Sequence, residues 1–283
     1  FGFGVKNLTD ESFLPILIDR ARHTYMRDKN HPSVIAWSVG NENPLTEICR
    51  ETGRYMRDLD KTRPYCFPQT PSVLHTTVDS LSDDIELLDY HYPNVSDLKE
   101  LATRLQGRSM MASEYAHALG LDFGNLENIY EEMRRYPCYS GGAVWMMFDQ
   151  AMLRTSDKPV DKTQPTTYTW LTPNTYYDTN GNGGTDGVMY ADRTPQTCYY
   201  ELRKVFSPVK ASDAFTVNGG TFRTTIHNRY DFLNLGTVKA VYKVMVNGKC
   251  IKETSLPLQC KARDSVNVSI PLPKISEHTY AYL

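Results

Sequence analysis

HPSVIAWSVGNE, residues 31–42, is the stretch whose reading decides the fold. Its centre, Val34 to Val39, is a short apolar run that ends at Gly40. A strand buried on both faces of a parallel sheet reads this way. Upstream, Leu8 to Asn30 places Phe13, Leu14, Leu17, Ile18, Ala21 and Tyr25 at helical spacing, with Thr9 or Asp10 to cap it and His31-Pro32 to stop it. Downstream the two patterns alternate. Helices are predicted over Leu45–Leu59, Ser96–Leu105 and Leu126–Tyr136, and strands over Arg63–Phe67, Ile85–Tyr92, Ser109–Tyr115 and Gly142–Phe148. Strand and helix alternating over short connections imply βαβ units and a parallel sheet.

The polar residues cluster at strand C-terminal ends: Asn41-Glu42, Tyr90 to Tyr92, Glu114 to His117, and Trp145 onward. In a (β/α)8 barrel that rim carries the active site. Two acids follow apolar strands, Glu42 and Glu114. A carboxylate there is costly unless it faces water, a ligand or a partner. Capping the next helix or pairing with an arginine would also explain either one. Two such acids on one rim match the needs of glycoside hydrolysis, which uses a facing carboxylate pair.

Residues 151–188 are rich in Thr, Asp, Asn, Gly and Pro and read as a long surface loop. Ala191 to Phe206 returns to a helix. After that come short alternating runs, Thr221–His227, Thr237–Val246 and Val266–Pro271, with Asn247-Gly248 as a hairpin turn. About five barrel strands precede the loop, whereas closure needs eight. The expected class is therefore α/β: the C-terminal portion of a (β/α)8 TIM barrel, strands about 4–8, over residues 1–207. An immunoglobulin-like β-sandwich domain, expected to be truncated, follows over 208–283.

Composition narrows the partners. Of 283 residues, 40% are hydrophobic and 23% charged, which suits a packed core. A formal net charge of -2 gives no basis for binding nucleic acid or an anionic membrane. The six cysteines form no C-x-x-C pair and read as reduced thiols. Phe1-Gly2-Phe3-Gly4 looks like the middle of a protein, so the choice between cytoplasm and periplasm stays open.

Four segments carry a family resemblance. Residues 31–42 resemble the H-P-S-V-I-x-W-S-x-G-N-E signature of the LacZ-type β-galactosidase family, glycoside hydrolase family 2. Ser113 to Gly120, SEYAHALG, is similar to its E-Y-A-H-A-M-G segment. Gly141-Gly142-Ala143-Val144-Trp145 with Asp149-Gln150 resembles G-G-F-V-W…D-Q on its eighth strand. Asp186-Gly187 and Ala191-Asp192-Arg193-Thr194-Pro195 resemble the N-G-L…A-D-R-T-P that follows. Asn228-Arg229-Tyr230-Asp231-Phe232 is similar to the start of the family's next sandwich domain.

The resemblance implies retaining hydrolysis of terminal β-D-galactosides. Glu114 would be the nucleophile and Glu42 the general acid/base, with the carboxyls about 5 Å apart. It implies that Asn41 meets the sugar 2-hydroxyl, that His117 binds galactose hydroxyls and that Trp145 floors the sugar subsite. Tyr90 aligns best with the tyrosine that hydrogen-bonds the nucleophile, and Tyr92 is the other match. It also implies Mg2+ and Na+ in the full-length enzyme, with Glu42 as the one magnesium ligand this chain supplies. The expected partner is a carbohydrate, and a homo-oligomer is left open. Leu121, Asn43-Pro44 and Met146-Met147 depart from the pattern on the rim, which leaves the exact sugar open. A related β-glucuronidase or β-mannosidase, a fragment inactive by itself, and a pure carbohydrate-binding module are the alternatives.

Overall fold

In a computed structural model the described residues are 6–43, 45–69, 85–104, 107–120, 122–155, 168–172, 175–178, 184–274 and 281–282. The expectations for Phe1 to Gly4, Pro44, Leu121 and parts of the loop at 151–188 fall outside them. The chain divides into two compact units, Phe1–Val205 and Phe206–Leu283.

The first unit is built on a parallel sheet of β1 (Trp37–Ser38), β2 (Tyr65–Gln69), β3 (Leu87–Tyr90), β4 (Ser109–Tyr115) and β5 (Tyr139–Val144). Their order in the sheet is their order in the chain, and all four pairings are parallel. A doubly wound sheet reverses its strand order at a switch point. This sheet never reverses, so it forms an arc of a TIM barrel. Helices α1 (Leu14–Asp28), α2 (Glu47–Leu59), α3 (Val95–Arg104), α4 (Leu126–Arg135) and α5 (Thr197–Val205) accompany it. Leu17 and Ala21 of α1 and Ile48, Cys49 and Met56 of α2 are buried in one cluster with Trp37, Tyr65 and Phe67. Leu98, Tyr115, Leu126 and Met133 form a second.

The strand predicted over Val34–Val39 shortens to Trp37–Ser38, and Ile35 is exposed. Among the described residues β1 pairs only with β2, so its N-terminal half has no ladder to join. The helix predicted from Ala191 begins at Thr197 instead. Arg193 has a φ of 74° and Pro195 removes a backbone donor, and neither fits a helix interior. The expected loop at 151–188 holds a small antiparallel sheet. Its strands are β6 (Met152–Thr155), β7 (Tyr168–Thr172) and β8 (Thr175–Asp178), in the order β6-β8-β7. Thr and Tyr favour strands, but the Asn, Asp and Gly around them dominated the composition.

Asp60 ties α2 to the start of the sheet. It accepts the Trp37 indole N–H at 3.0 Å, the Thr62 amide and hydroxyl at 2.9 and 2.6 Å, and Arg63 Nε at 2.7 Å. Burial pushes this carboxyl up, but the hydrogen bonds from Thr62, Trp37 and Arg63 outweigh it and hold the pKa well below the usual carboxylate value. A folded pKa below the unfolded one gives stability that is present above about pH 4 and lost as the pH falls further. Asp60→Ala is expected to cost about 2–4 kcal/mol at neutral pH in urea denaturation. The gap from the unsubstituted protein should narrow below pH 4, and a gap independent of pH would contradict the assignment.

The second unit contains two three-stranded antiparallel sheets, forming the sandwich. One joins β9 (Val209–Asn218), β10 (Thr221–Asn228) and β13 (Ser265–Pro271) in the order β13-β10-β9. The other joins β11 (Val241–Val246), β12 (Lys249–Ser255) and β14 (Ala281–Tyr282) in the order β12-β11-β14. Asn247 and Gly248 both have positive φ and turn β11 into β12. Asn228 is buried, and its amide donates to the carbonyls of Leu233, Cys260 and Lys261 at 2.8–3.0 Å. All six cysteines are free thiols. No helix of the described residues is long and apolar enough to cross a membrane.

Candidate active site

Parallel pairing aligns the C-terminal ends of β1 to β5, and three rim residues take strained turns there. Glu42, Tyr92 and Ala116 have φ of 52°, 51° and 56°, a left-handed conformation that disfavours a side chain. Backbone bonds hold two of these turns: Glu42 N–H donates to Pro68 O at 3.1 Å, and Tyr92 N–H to Glu114 O at 2.8 Å.

Glu42 and Glu114 converge. One carboxylate oxygen from each and one ring nitrogen of His91 all lie within 4.8 Å of one another. The two side chains are 7% and 13% exposed. Tyr92 donates its phenol to Glu114 Oε2 at 2.6 Å. Burial and the Glu114 carboxylate push that phenol's pKa up, so it stays protonated as a donor. Tyr90 is not at the pair, which corrects its alignment with the nucleophile's tyrosine: it donates to Asp97 Oδ2 of α3 at 3.3 Å. The strand ends at Tyr90. The turn at Tyr92 then breaks the alternation of side chains and sends Tyr92 to the rim instead.

A second group lies beside the first. His117 stacks on Tyr92, with ring centroids 5.4 Å apart. Asp186 is buried, and its Oδ2 lies 3.2 Å from His117 Nε2 and accepts from Trp145 Nε1 at 2.9 Å and Gln150 Nε2 at 3.2 Å. Its Oδ1 is buried with no hydrogen-bond partner among the described residues. Residues 184–189 reach this position by running beside 146–150: Met146 N–H bonds Asp186 O, Val188 N–H bonds Met146 O and Gln150 N–H bonds Gly184 O. Asp149 Oδ1 pins the return by accepting from Gly187 N–H and Gln196 Nε2, both at 3.0 Å. A Cβ at Gly187 would lie 2.2 Å from Asp149 N, so only glycine fits. Asn41 is exposed, with its backbone N–H on Asn43 Oδ1 at 3.1 Å.

Residues 5–211 match the family model for glycosyl hydrolases family 2, TIM barrel domain. The chain belongs to glycosyl hydrolase family 2. Residues 224–283 of this family 2 chain match β-galactosidase domain 4. It is 30% identical to a β-galactosidase of Priestia megaterium over 90% of its own length and 24% of the relative's. It is 28% identical to the β-galactosidase BgaC of Bifidobacterium adolescentis, again over 90% and 24%. The chain thus spans about a quarter of these relatives. A β-glucuronidase structure from Bacteroides uniformis superposes with a TM-score of 0.52 at 14% identity, covering 93% of this chain and 34% of that one. That likeness concerns the fold.

The sequence reading missed His91, Ser113 and Asp186 as site residues. His91 had only its place just beyond a strand end as a signal, while Ser113 and Asp186 lay within the matched segments but carried no role there. Of the magnesium ligands that the family resemblance implies, this chain supplies Glu42 alone, and one carboxylate does not make a magnesium site. Glu42 Oε1 lies 2.9 Å from His91 Nδ1. For sodium the resemblance names no ligand in this chain.

Proposed function

We propose that the intact enzyme carrying this chain hydrolyses terminal β-D-galactosides with retention of configuration. The observation that carries this reading is the convergence of Glu42 and Glu114 to within 4.8 Å, oxygen to oxygen. Retaining pairs sit about 5–5.5 Å apart and inverting pairs about 6.5–9.5 Å, because the latter leave room for water. In the first step Glu114 attacks the anomeric carbon as the bond to the leaving oxygen breaks, and Glu42 gives that oxygen its proton. In the second, Glu42 takes a proton from water, which attacks the same carbon and releases Glu114. Tyr92 holds Glu114 Oε2, which fixes the direction of the attacking oxygen.

The relatives named β-galactosidase support the choice of sugar. Asp186 supports a neutral one. Its carboxylate is buried against Trp145 and His117, the residues aligned with the sugar subsite, and a second carboxylate on the substrate would meet like charge at low dielectric. Initial rates of the intact enzyme on nitrophenyl galactoside, glucoside, mannoside, glucuronide and galacturonide test the reading. Galactoside should lead, and leadership by a uronide would end it. In Asp186→Asn the preference for galactoside over galacturonide should fall about 10- to 100-fold, corresponding to about 1.4–3 kcal/mol of repulsion removed.

A further inference from the structure

His91 has no role in the two-carboxylate scheme, yet it is wholly buried between the two carboxylates. Its Nδ1 lies 2.9 Å from Glu42 Oε1 and 3.4 Å from Glu114 Oε2, and its Nε2 lies 2.9 Å from Ser113 Oγ. Glu114, as the ionised nucleophile, only accepts, and Glu42 can accept at Oε1 while its own proton sits on Oε2, so Nδ1 carries the ring proton. In the neutral ring, Nε2 then accepts from the Ser113 hydroxyl. Ser113 is itself fixed, because its backbone N–H donates to Asp89 Oδ1 at 2.9 Å. The Asp89 side chain is buried on β3, the strand that His91 follows. The ring is thus held from behind by β4 and β3, with its Nδ1 hydrogen-bonded to Glu42 and in ion-pair range of Glu114 at 3.4 Å.

We propose that His91 is a positioning residue that clamps Glu42 to Glu114, setting the direction from which the acid delivers its proton. The inference rests on the reading of those two residues as acid/base and nucleophile. Without the N–H, Tyr92 still holds Glu114, but no other side chain among the described residues bonds the Glu42 carboxyl, and a misplaced general acid forfeits part of its roughly 10²–10⁴-fold contribution. The loss should depend on the leaving group. Phenol needs protonation as it departs, whereas dinitrophenolate leaves without help.

The test compares the intact enzyme with His91→Leu, which keeps bulk without a donor, and His91→Gln, which keeps an N–H donor. Expected for His91→Leu is a fall in kcat/KM of about 100-fold on phenyl galactoside but about 10-fold or less on dinitrophenyl galactoside. The Gln variant should recover part of the difference. Equal losses on both substrates, or a Gln variant no better than Leu, would overturn the proposal in favour of a packing role. Should His91→Leu fail to fold, Ser113→Ala releases only the far side of the ring. It should shift the same substrate ratio about fivefold in the same direction, and an unmoved ratio would likewise sink the idea. Failure of the underlying reading is separately visible as a Glu42→Ala or Glu114→Gln enzyme that still turns over phenyl galactoside.

Discussion

Glu114→Gln is expected to lower turnover of every aryl galactoside by about 10⁴-fold or more while leaving KM within a few-fold. The amide keeps the volume and can still take the Tyr92 phenol, so the fold should stand, but it cannot bond the anomeric carbon. The smaller Glu114→Gly opens the space beneath that carbon. Azide at high concentration should enter it and yield the α-galactosyl azide, the product of one displacement. A 2-fluoro galactoside with a good leaving group should add its sugar mass to the unsubstituted enzyme at Glu114. Label found on a peptide lacking Glu114 would remove it from the nucleophile's role.

The second large effect concerns Glu42. Glu42→Ala should reduce kcat/KM on phenyl galactoside by about 10²–10⁴-fold, and much less on the dinitrophenyl substrate, where departure needs no acid. Its second step should also slow, because water lacks a base. Azide needs none, so it should speed turnover and give β-galactosyl azide, opposite in configuration to the Glu114→Gly product. An alanine variant with the same loss on both substrates and no response to azide would place Glu42 outside the chemistry.

The fold was largely legible because burial writes itself into runs of residues. Ser109–Tyr115 alternates with helical segments whose apolar spacing is regular, and that is enough for a parallel arc. Legibility failed where tertiary partners decide. Nothing in Val34–Val39 says that only Trp37 and Ser38 find a neighbouring strand. Nothing in Thr175–Asp178 distinguishes a strand from the polar chain around it. At the site, Glu42 and Glu114 could be singled out because each is an acid closing an apolar run. His91 could not, because a histidine between two tyrosines at a strand's end points wherever the turn sends it. Asp186 could not either, because a return segment 41 residues further along the chain brings it to Trp145.

The left-handed backbone at Glu42, Tyr92 and Ala116 sets two evolutionary pressures against each other. Each such conformation costs of order 1 kcal/mol or more for a residue with a side chain, and glycine would relax it. Relaxation at 42 or 92 would discard the carboxyl or the phenol on which the proposed mechanism depends. A lineage under heat stress would therefore find its cheap gain at 116 and would have to leave the other two strained.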